Sequence, residues 1–261
     1  MPRIAHAGPM AEAATLYVFA ISHYCEKARW ALDALDLPYT IRHLAPGPHV
    51  EATKQLGAAG SSLPVLVADG RVVQGSDAIF DWADEQTADA SRRLGVDAAL
   101  AAEGRALEQR LDDVLGVHVR RYYYSEALVD HPDTVRPIFA RDLEPDERRS
   151  TEENWGIVRQ LMMGAMDLGA EQRLESRRIV EGELDWLDGL LSDGRRYLLG
   201  ERFSRLDITA ASLLAPLALP EEHPTYGSLE VPPLARSDLA EWTVRPTLRW
   251  VREIYGRHRR S

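Results

Sequence analysis

The first third of the chain alternates short apolar runs with helical patterns, and no later part of the chain repeats that alternation. Apolar runs predict strands at residues 15–20, 39–44, 65–68 and 71–74. Helical patterns predict helices at residues 24–35, 50–56 and 76–86. Asp69-Gly70, between the last two runs, is a strong hairpin signal because both residues tolerate positive φ. The order βαβ, then α, then ββα predicts a small mixed sheet covered by helices, with one parallel pair formed through a right-handed crossover.

The composition changes after residue 86, where a polar linker precedes a long region that predicts only helices. One apolar stripe at helical spacing runs through Leu107, Leu111, Val114, Leu115, His118 and Tyr122. A capping box at Ser204 and Asp207 predicts the start of a later helix. Residues 130–150 and 221–233 carry several prolines and predict irregular connections. We therefore expect a flexible leader at 1–14, an α/β domain at 15–87, a linker at 88–94 and an all-helical domain at 95–261.

Charge and composition narrow the classes of partner. The net charge of −10 argues against nucleic acid or anionic lipid as the main partner. The single cysteine excludes an intramolecular disulfide and a four-cysteine zinc site, and it fits a reducing compartment. The longest nearly apolar stretch, residues 208–219, is shorter than the ~20 residues that cross a bilayer, and the leader has no signal-peptide pattern. With no metal or nucleotide motif present, we expect a cytoplasmic protein that needs no metal and acts on small molecules.

The turn Ser22-His23-Tyr24-Cys25 stands between the first predicted strand and the first predicted helix. The first N–H groups of a helix lack partners within the helix, and the helix dipole adds partial positive charge there. An anion such as a thiolate, a phosphate or a carboxylate is therefore favoured at this turn. The Ser22 hydroxyl could cap the helix or donate a hydrogen bond to such an anion.

Four features, in their order and spacing, resemble the cytosolic glutathione transferase superfamily. They are the turn continued through Arg29, the pair Leu63-Pro64, the segment Gly75-Ser76-Asp77-Ala78-Ile79, and the capping box of the second domain. The resemblance covers most of the chain and implies a thioredoxin-like α/β N-terminal domain followed by an all-α helical-bundle domain. It also implies glutathione as co-substrate, a homodimer, and transfer of the sulfur of glutathione, or of a related small thiol, to an electrophile.

The resemblance gives a role to each matching position. The Ser22 hydroxyl would donate a hydrogen bond to the glutathione sulfur and stabilise the thiolate. Leu63, which follows Ser62 and stands before a cis proline at Pro64, would offer its backbone N–H and carbonyl to the cysteinyl part of glutathione. Ser76 would bind the γ-glutamyl carboxylate at a helix N-terminus. Asp77 would have to turn away from that carboxylate or meet the ligand ammonium.

Other interpretations of the turn stay open. Tyr24 could donate to the sulfur instead of Ser22. Cys25 could exchange disulfides with a thiol substrate, or it could be an inert, partly buried residue. His23 could carry a proton or could be a solvated loop residue.

Two further interpretations concern residues outside the turn. His118 and Tyr122 share a helix face, and they would either pack the seam between the domains or form the wall of an electrophile pocket. Gly75 stands where the family usually has an acidic residue. This departure motivates a third possible function, a binding protein that keeps the fold without the chemistry.

Overall fold

The sheet of the first domain has four strands in the order β2-β1-β3-β4 in the computed structural model, which describes residues 14–259. The strands are β1 (Ala14–Val18), β2 (Tyr39–His43), β3 (Val65–Ala68) and β4 (Arg71–Gln74). β1 and β2 are parallel, and β3 is antiparallel to both of its neighbours. Asp69 and Gly70 turn between β3 and β4 with φ of 49° and 71°. The predicted mixed sheet and its hairpin are confirmed.

Three helices accompany this sheet: α1 (His23–Ala34), α2 (His49–Gln55) and α3 (Ser76–Gln86). Each lies within one residue of its predicted bounds, because periodicity and turn residues are local signals. The connection that follows α3 holds two short 3₁₀ turns, Ala90–Arg92 and Ala98–Leu100. The predicted leader lies outside the described residues, except that Ala14 is the first residue of β1.

The second region is helical, and the described residues beyond position 100 contain no strand. Its helices are α4 (Ala101–Arg110), α5 (Val117–Ala127), α6 (Pro132–Phe139), α7 (Pro145–Glu153), α8 (Trp155–Ala165), α9 (Ala170–Leu190), α10 (Arg205–Ala218), α11 (Pro233–Trp242) and α12 (Pro246–His258). A π-helical segment, Leu111–Gly116, joins α4 directly to α5. Within residues 14–259 no helix combines the length and the apolar character needed to span a membrane.

The centre of the second region is α10, in which thirteen of the fourteen residues are buried. Its predicted capping box is confirmed: the Ser204 hydroxyl accepts from the backbone N–H of Leu206 at 3.3 Å, and the Ser204 N–H donates to Asp207 at 2.8 Å. α1 packs on α10, so eight of the twelve residues of α1 are buried. The turn at residues 22–25, at the start of α1, is thereby held between the two domains.

The prediction of an irregular connection at residues 130–150 is wrong, because α6 and α7 lie there. Pro132 and Pro145 stand in the first turns of these helices, where a missing N–H removes no helical hydrogen bond. Residues 221–233, by contrast, hold only the 3₁₀ turn Tyr226–Ser228 before α11 begins.

The π-helical segment changes which face of α5 meets the first domain. A π turn holds one residue more than an α turn, so the residues after it are rotated by about 100° relative to a straight α-helix. The stripe through Leu111 and Leu115 therefore continues to the fully buried Val119 and not to His118, which is only partly buried. The straight-helix prediction of the stripe is wrong at His118.

Candidate functional site

A largely apolar cavity of about 170 Å³ lies where the turn before α1 meets the second domain. Its wall consists of the turn itself, the residues before cis Pro64, one face of α5, part of α8 and the segment around the last 3₁₀ turn. The lining residues are Phe19, Ile21, Ser22, His23, Tyr24, Ser62, Leu63, Val119, Arg120, Tyr123, Tyr124, Phe139, Met162, Met166, Pro216, Tyr226 and Leu229. An interdomain cleft with apolar walls and few polar groups is the usual form of a small-molecule site.

Ser22 is the N-cap of α1 and lies on the cavity wall. Its Oγ accepts a hydrogen bond from the backbone N–H of Cys25 at 3.3 Å. The same hydroxyl still has a proton to donate, and no hydrogen bond among residues 14–259 uses it. Ser22 can therefore cap the helix and donate to a ligand at the same time.

Cys25 lies behind the turn and is 1% exposed. Burial is the main effect on this thiol and raises its pKa to about 11. The cavity lining does not include it. A thiol with a raised pKa and no access to solvent is poorly suited to nucleophilic attack or disulfide exchange.

Tyr24 faces the cavity with its ring but uses its hydroxyl elsewhere. The hydroxyl donates to the backbone carbonyl of Asp112, in the π-helical segment, at 2.7 Å. Gly116 passes so close that a Cβ there would lie 2.5 Å from the Tyr24 oxygen. Burial raises the pKa of the phenol, so it stays protonated. Tyr24 thus connects the two domains, and its proton is not directed at the cavity.

His23 is 4% exposed and lies on the cavity wall, so the interpretation of it as a solvated loop residue is wrong. It is the first residue of α1, and its ring centroid lies 4.6 Å from that of Tyr24. Burial and the charge of Arg120 lower the pKa of the imidazole to about 3, so the ring is neutral near pH 7. Its Nε2 is buried without a hydrogen-bond partner among the described residues.

The predicted wall residues His118 and Tyr122 do not line the cavity. Tyr122 is buried on the other side of α5, where its hydroxyl donates to Asp238 at 2.7 Å and its ring packs on Trp242. His118 pairs with the hydroxyl of Ser176 on α9. The rotation introduced by the π-helical segment brings a different set to the cavity, namely Val119, Arg120, Tyr123 and Tyr124.

Sequence reasoning also missed the segment that closes the turn from the far end of the chain. The Tyr226 hydroxyl donates to the carbonyl of Ile21 at 3.1 Å, and the Thr225 hydroxyl donates to the carbonyl of Ala20 at 2.8 Å. Tyr226 also lines the cavity. No local pattern indicated these contacts, since they join residues 205 positions apart.

The Leu63-Pro64 peptide bond is cis, as the resemblance implied. Ser62 and Leu63 lie on the cavity wall. No hydrogen bond between described residues uses the backbone N–H or carbonyl of Leu63. The carbonyl of Ser62, in contrast, accepts from the Gln74 side chain at 2.8 Å. A peptide-like ligand could therefore form hydrogen bonds with the backbone N–H and carbonyl of Leu63.

Ser76 is the first residue of α3 and is 7% exposed, after an N-cap at Gly75 with φ of 97°. A glycine fits this backbone conformation because it has no Cβ. The carboxylate of Asp77, in the first turn of α3, pairs with the ammonium of Lys27. Lys27 thus balances the charge of this carboxylate, and the N-terminus of α3 favours an anion.

Lys27 is fully buried and is surrounded by carboxylates. Its ammonium lies 2.8 Å from Asp112 and 3.1 Å from Glu108, and it also contacts Asp77. Burial and the neighbouring Asp77 raise the pKa of Asp112. The three carboxylates lie within 4.8 Å of one another, as in a cation site, but the ammonium of Lys27 already provides their positive charge. The cluster ties α1 and α3 to α4 and the π-helical segment.

Comparison with known proteins identifies the family of the first domain. Residues 16–91 match the family model of the glutathione S-transferase N-terminal domain. The N-terminal domain belongs to the glutathione S-transferase superfamily. None of the curated proteins matches the sequence significantly.

Solved structures show that the glutathione S-transferase fold extends over nearly the whole chain. A glutathione S-transferase from Sinorhizobium meliloti is 23% identical, with a TM-score of 0.54 over 92% of each chain. One from Phanerochaete chrysosporium is 18% identical, with a TM-score of 0.66 over 96% of this chain and 99% of its own. A third, from Ceriporiopsis subvermispora in complex with glutathione, is 15% identical, with a TM-score of 0.63 over the same shares. The predicted architecture, a thioredoxin-like domain followed by a helical domain, is confirmed.

Proposed function

We propose that this protein is a glutathione transferase, which binds glutathione or a closely related thiol and adds its sulfur to an electrophile in the interdomain cavity. The observation that carries the proposal is that the Ser22 hydroxyl and the backbone of Leu63, which makes no hydrogen bond to any described residue, lie on one largely apolar cavity. The superfamily of the first domain, and a structural neighbour that holds glutathione, support the choice of thiol.

In the proposed complex the tripeptide lies along the first domain. Its γ-glutamyl carboxylate meets Ser76 and the first N–H groups of α3, and its cysteinyl backbone pairs with Leu63. Its sulfur reaches the hydroxyl of Ser22. Asp77 does not oppose the carboxylate, because Lys27 holds it.

The chemical task of the site is to supply a thiolate near neutral pH. A free thiol has a pKa near ~8.5, and the thiolate is the nucleophile. The hydroxyl of Ser22 and the N-terminus of α1 both favour the charged form, and each unit by which they lower the pKa is worth about 1.4 kcal/mol. Ser22 does not ionise in this scheme. It donates a hydrogen bond to the sulfur while the thiol proton leaves to solvent.

Calorimetric titration with glutathione tests the proposal. We expect saturable heat and a rise in the melting temperature with glutathione, and weaker binding of cysteinylglycine, which lacks the γ-glutamyl group that Ser76 would hold. Transfer to 1-chloro-2,4-dinitrobenzene, followed by absorbance, tests the reaction itself. The absence of heat, of thermal stabilisation and of turnover at millimolar glutathione would contradict the proposal and favour a protein that kept the fold without the chemistry.

We also propose a homodimer, which rests on the family resemblance. A chain of 29.2 kDa would then give twice that mass by light scattering in dilute solution. A single-chain mass at micromolar concentration would contradict this assembly. The cavity described above is formed within one chain, so the proposed chemistry does not depend on this result.

A further inference from the structure

Arg120 is a cationic residue in a largely apolar cavity wall. It lines the cavity, and its Nε is buried without a hydrogen-bond partner in the described part of the chain. No ion pair between residues 14 and 259 includes it. The next residue, Arg121, points away and pairs with Asp167 and Glu175 at 2.7 Å each. The residue is half-buried, and burying the Nε–H without an acceptor is costly, so Arg120 is suited to bind an anion that arrives with a ligand.

The other residues of the cavity wall also favour binding of an anion by Arg120. Among the seventeen lining residues no side chain is acidic, and Arg120 is the one with a permanent charge. Most of the other lining residues are aromatic or aliphatic, including Tyr124, Phe139 and Met162. The chain as a whole carries a net charge of −10, so the positive character of this cavity is local. A ligand that fits it combines an apolar body with one negative group.

The cavity volume limits the size of that body. At about 170 Å³ it is similar to cavities of roughly 150 Å³ that hold a single benzene ring. Phe139 and Tyr124 supply aromatic rings on which such a ring can pack. Ser22 lies on the same wall, so a ring held there is beside the place proposed for the sulfur.

We propose that the electrophile of this protein is a single-ring aromatic compound carrying one carboxylate or sulfonate group, and that Arg120 binds this group. The inference rests on the proposed transferase function and specifies its second substrate. A guanidinium offers two parallel N–H donors to such an anion, which fixes the orientation of the ring as well as adding affinity. Arg120 is thus a binding residue for the electrophile.

A suitable probe reaction is the displacement of chloride from 4-chloro-3-nitrobenzoate. The glutathione thiolate attacks the ring carbon that bears chlorine, the C–S bond forms, and chloride leaves with the bonding electron pair. The thiol proton goes to solvent, so no oxidant or further reactant is needed. The methyl ester of the same compound has the same reacting carbon and lacks the negative charge, and it is therefore the matched neutral substrate.

The test compares both substrates in the wild-type protein and in Arg120→Met, Arg120→Lys and Arg121→Met. Loss of a hydrogen-bonded charge pair predicts a fall of about 10- to 100-fold in kcat/KM for the benzoate with Arg120→Met, mainly through KM. The ester should change by less than about threefold, since it makes no charge pair. Arg120→Lys should keep part of the preference for the benzoate over the ester, and Arg121→Met should behave as the wild type. An equal fall in kcat/KM for both substrates with Arg120→Met would overturn the proposal. It would indicate that Arg120 stabilises the thiolate, and the pKa of bound glutathione would then be higher in this variant.

A second measurement separates this proposal from the transferase function. The unreactive compound 3-nitrobenzoate can be titrated by calorimetry into the wild type and Arg120→Met, with methyl 3-nitrobenzoate as the neutral control. Binding of the anion that Arg120→Met weakens at least tenfold supports the anion site even if no transfer is found. Absence of anion binding, or equal binding to both proteins, overturns the anion site even if glutathione is bound and transferred to the ester.

Discussion

The hydroxyl of Tyr24 lies 2.7 Å from the backbone carbonyl of Asp112, and this contact joins the turn at the start of α1 to the π-helical segment of the second domain. Gly116 in that segment leaves the space that the hydroxyl occupies. The contact removes Tyr24 from the candidates for sulfur donor, because its proton is used. The same segment rotates α5, so that Arg120 and Tyr124 reach the cavity.

Tyr24→Phe should therefore reduce stability more than turnover. The carbonyl of Asp112 would lose a buried partner, which costs about 1–3 kcal/mol in the free energy of unfolding. We expect turnover at saturating substrate to stay within about threefold, as measured by conjugation assays alongside urea unfolding. A hundredfold fall in turnover with stability unchanged would assign the sulfur hydrogen bond to Tyr24.

Ser22→Ala should remove most turnover while glutathione affinity stays within roughly tenfold, or about 1.4 kcal/mol. The thiolate would lose its donor, so the pKa of bound glutathione, followed by thiolate absorbance against pH, should rise. Ser204→Ala is the matched control, because it removes a helix cap of the same kind at α10, away from the cavity. Both variants should lose about 1 kcal/mol of stability. If both kept full turnover, the donor would have to be sought elsewhere.

Cys25→Ala should keep transferase activity within about twofold, because the thiol lies outside the cavity lining and its pKa is raised to about 11. Labelling of the wild type by a thiol reagent should be slow in the native state and rapid in denaturant, since Cys25 is 1% exposed. Rapid native labelling, together with a disulfide-reducing activity that Cys25→Ala abolishes, would instead support thiol–disulfide exchange.

Lys27→Met should be strongly destabilising, by about 3–5 kcal/mol, because it leaves the buried carboxylate of Asp112 without its positive partner. The second substitution Asp112→Asn should recover part of that loss, since Asp112 lies 2.8 Å from the Lys27 ammonium. Urea unfolding of the two single variants and the double variant measures this coupling. Additive losses would show that the contact between the two side chains contributes little.

The neutral, buried state of His23 should make the fold sensitive to acid. The pKa of the ring is lowered from 6.5 to about 3, so between these values the unfolded chain binds a proton that the folded chain does not. Stability conferred by this residue is therefore present above pH 6.5 and lost as the pH falls towards 3, at up to about 1.4 kcal/mol per pH unit.

His23→Gln should flatten this dependence, measured as the free energy of unfolding between pH 3.5 and pH 6.5. Tyr24→Phe is the control, because the tyrosine does not titrate in this range and its loss should shift the curve without changing its slope. An unchanged slope in His23→Gln would show that other groups determine the acid sensitivity. Near pH 7, the dependence of turnover on pH should contain no step that arises from ionisation of His23.

Local signals were sufficient for the framework of the fold. The β3–β4 hairpin followed from Asp69-Gly70, and the start of α10 followed from the capping box at Ser204 and Asp207. Both depend on backbone preferences of residues next to each other in the chain. The α6 and α7 helices were missed because prolines in a first helical turn have the same appearance in a sequence as prolines in a loop.

The sequence by itself determined the sheet, the order of the two domains and the turn in which Ser22 caps α1, because these depend on short-range preferences. Only the tertiary structure decided which side chains face the cavity. Because the π turn holds one extra residue, Tyr123 and Tyr124 line the cavity and the predicted Tyr122 does not. A contact between residues 205 positions apart brings Tyr226 onto the turn before α1. Burial and helix rotation are properties of the packed chain, so the neighbours in sequence could not predict the charge state of His23 or that Arg120 makes no ion pair within residues 14–259.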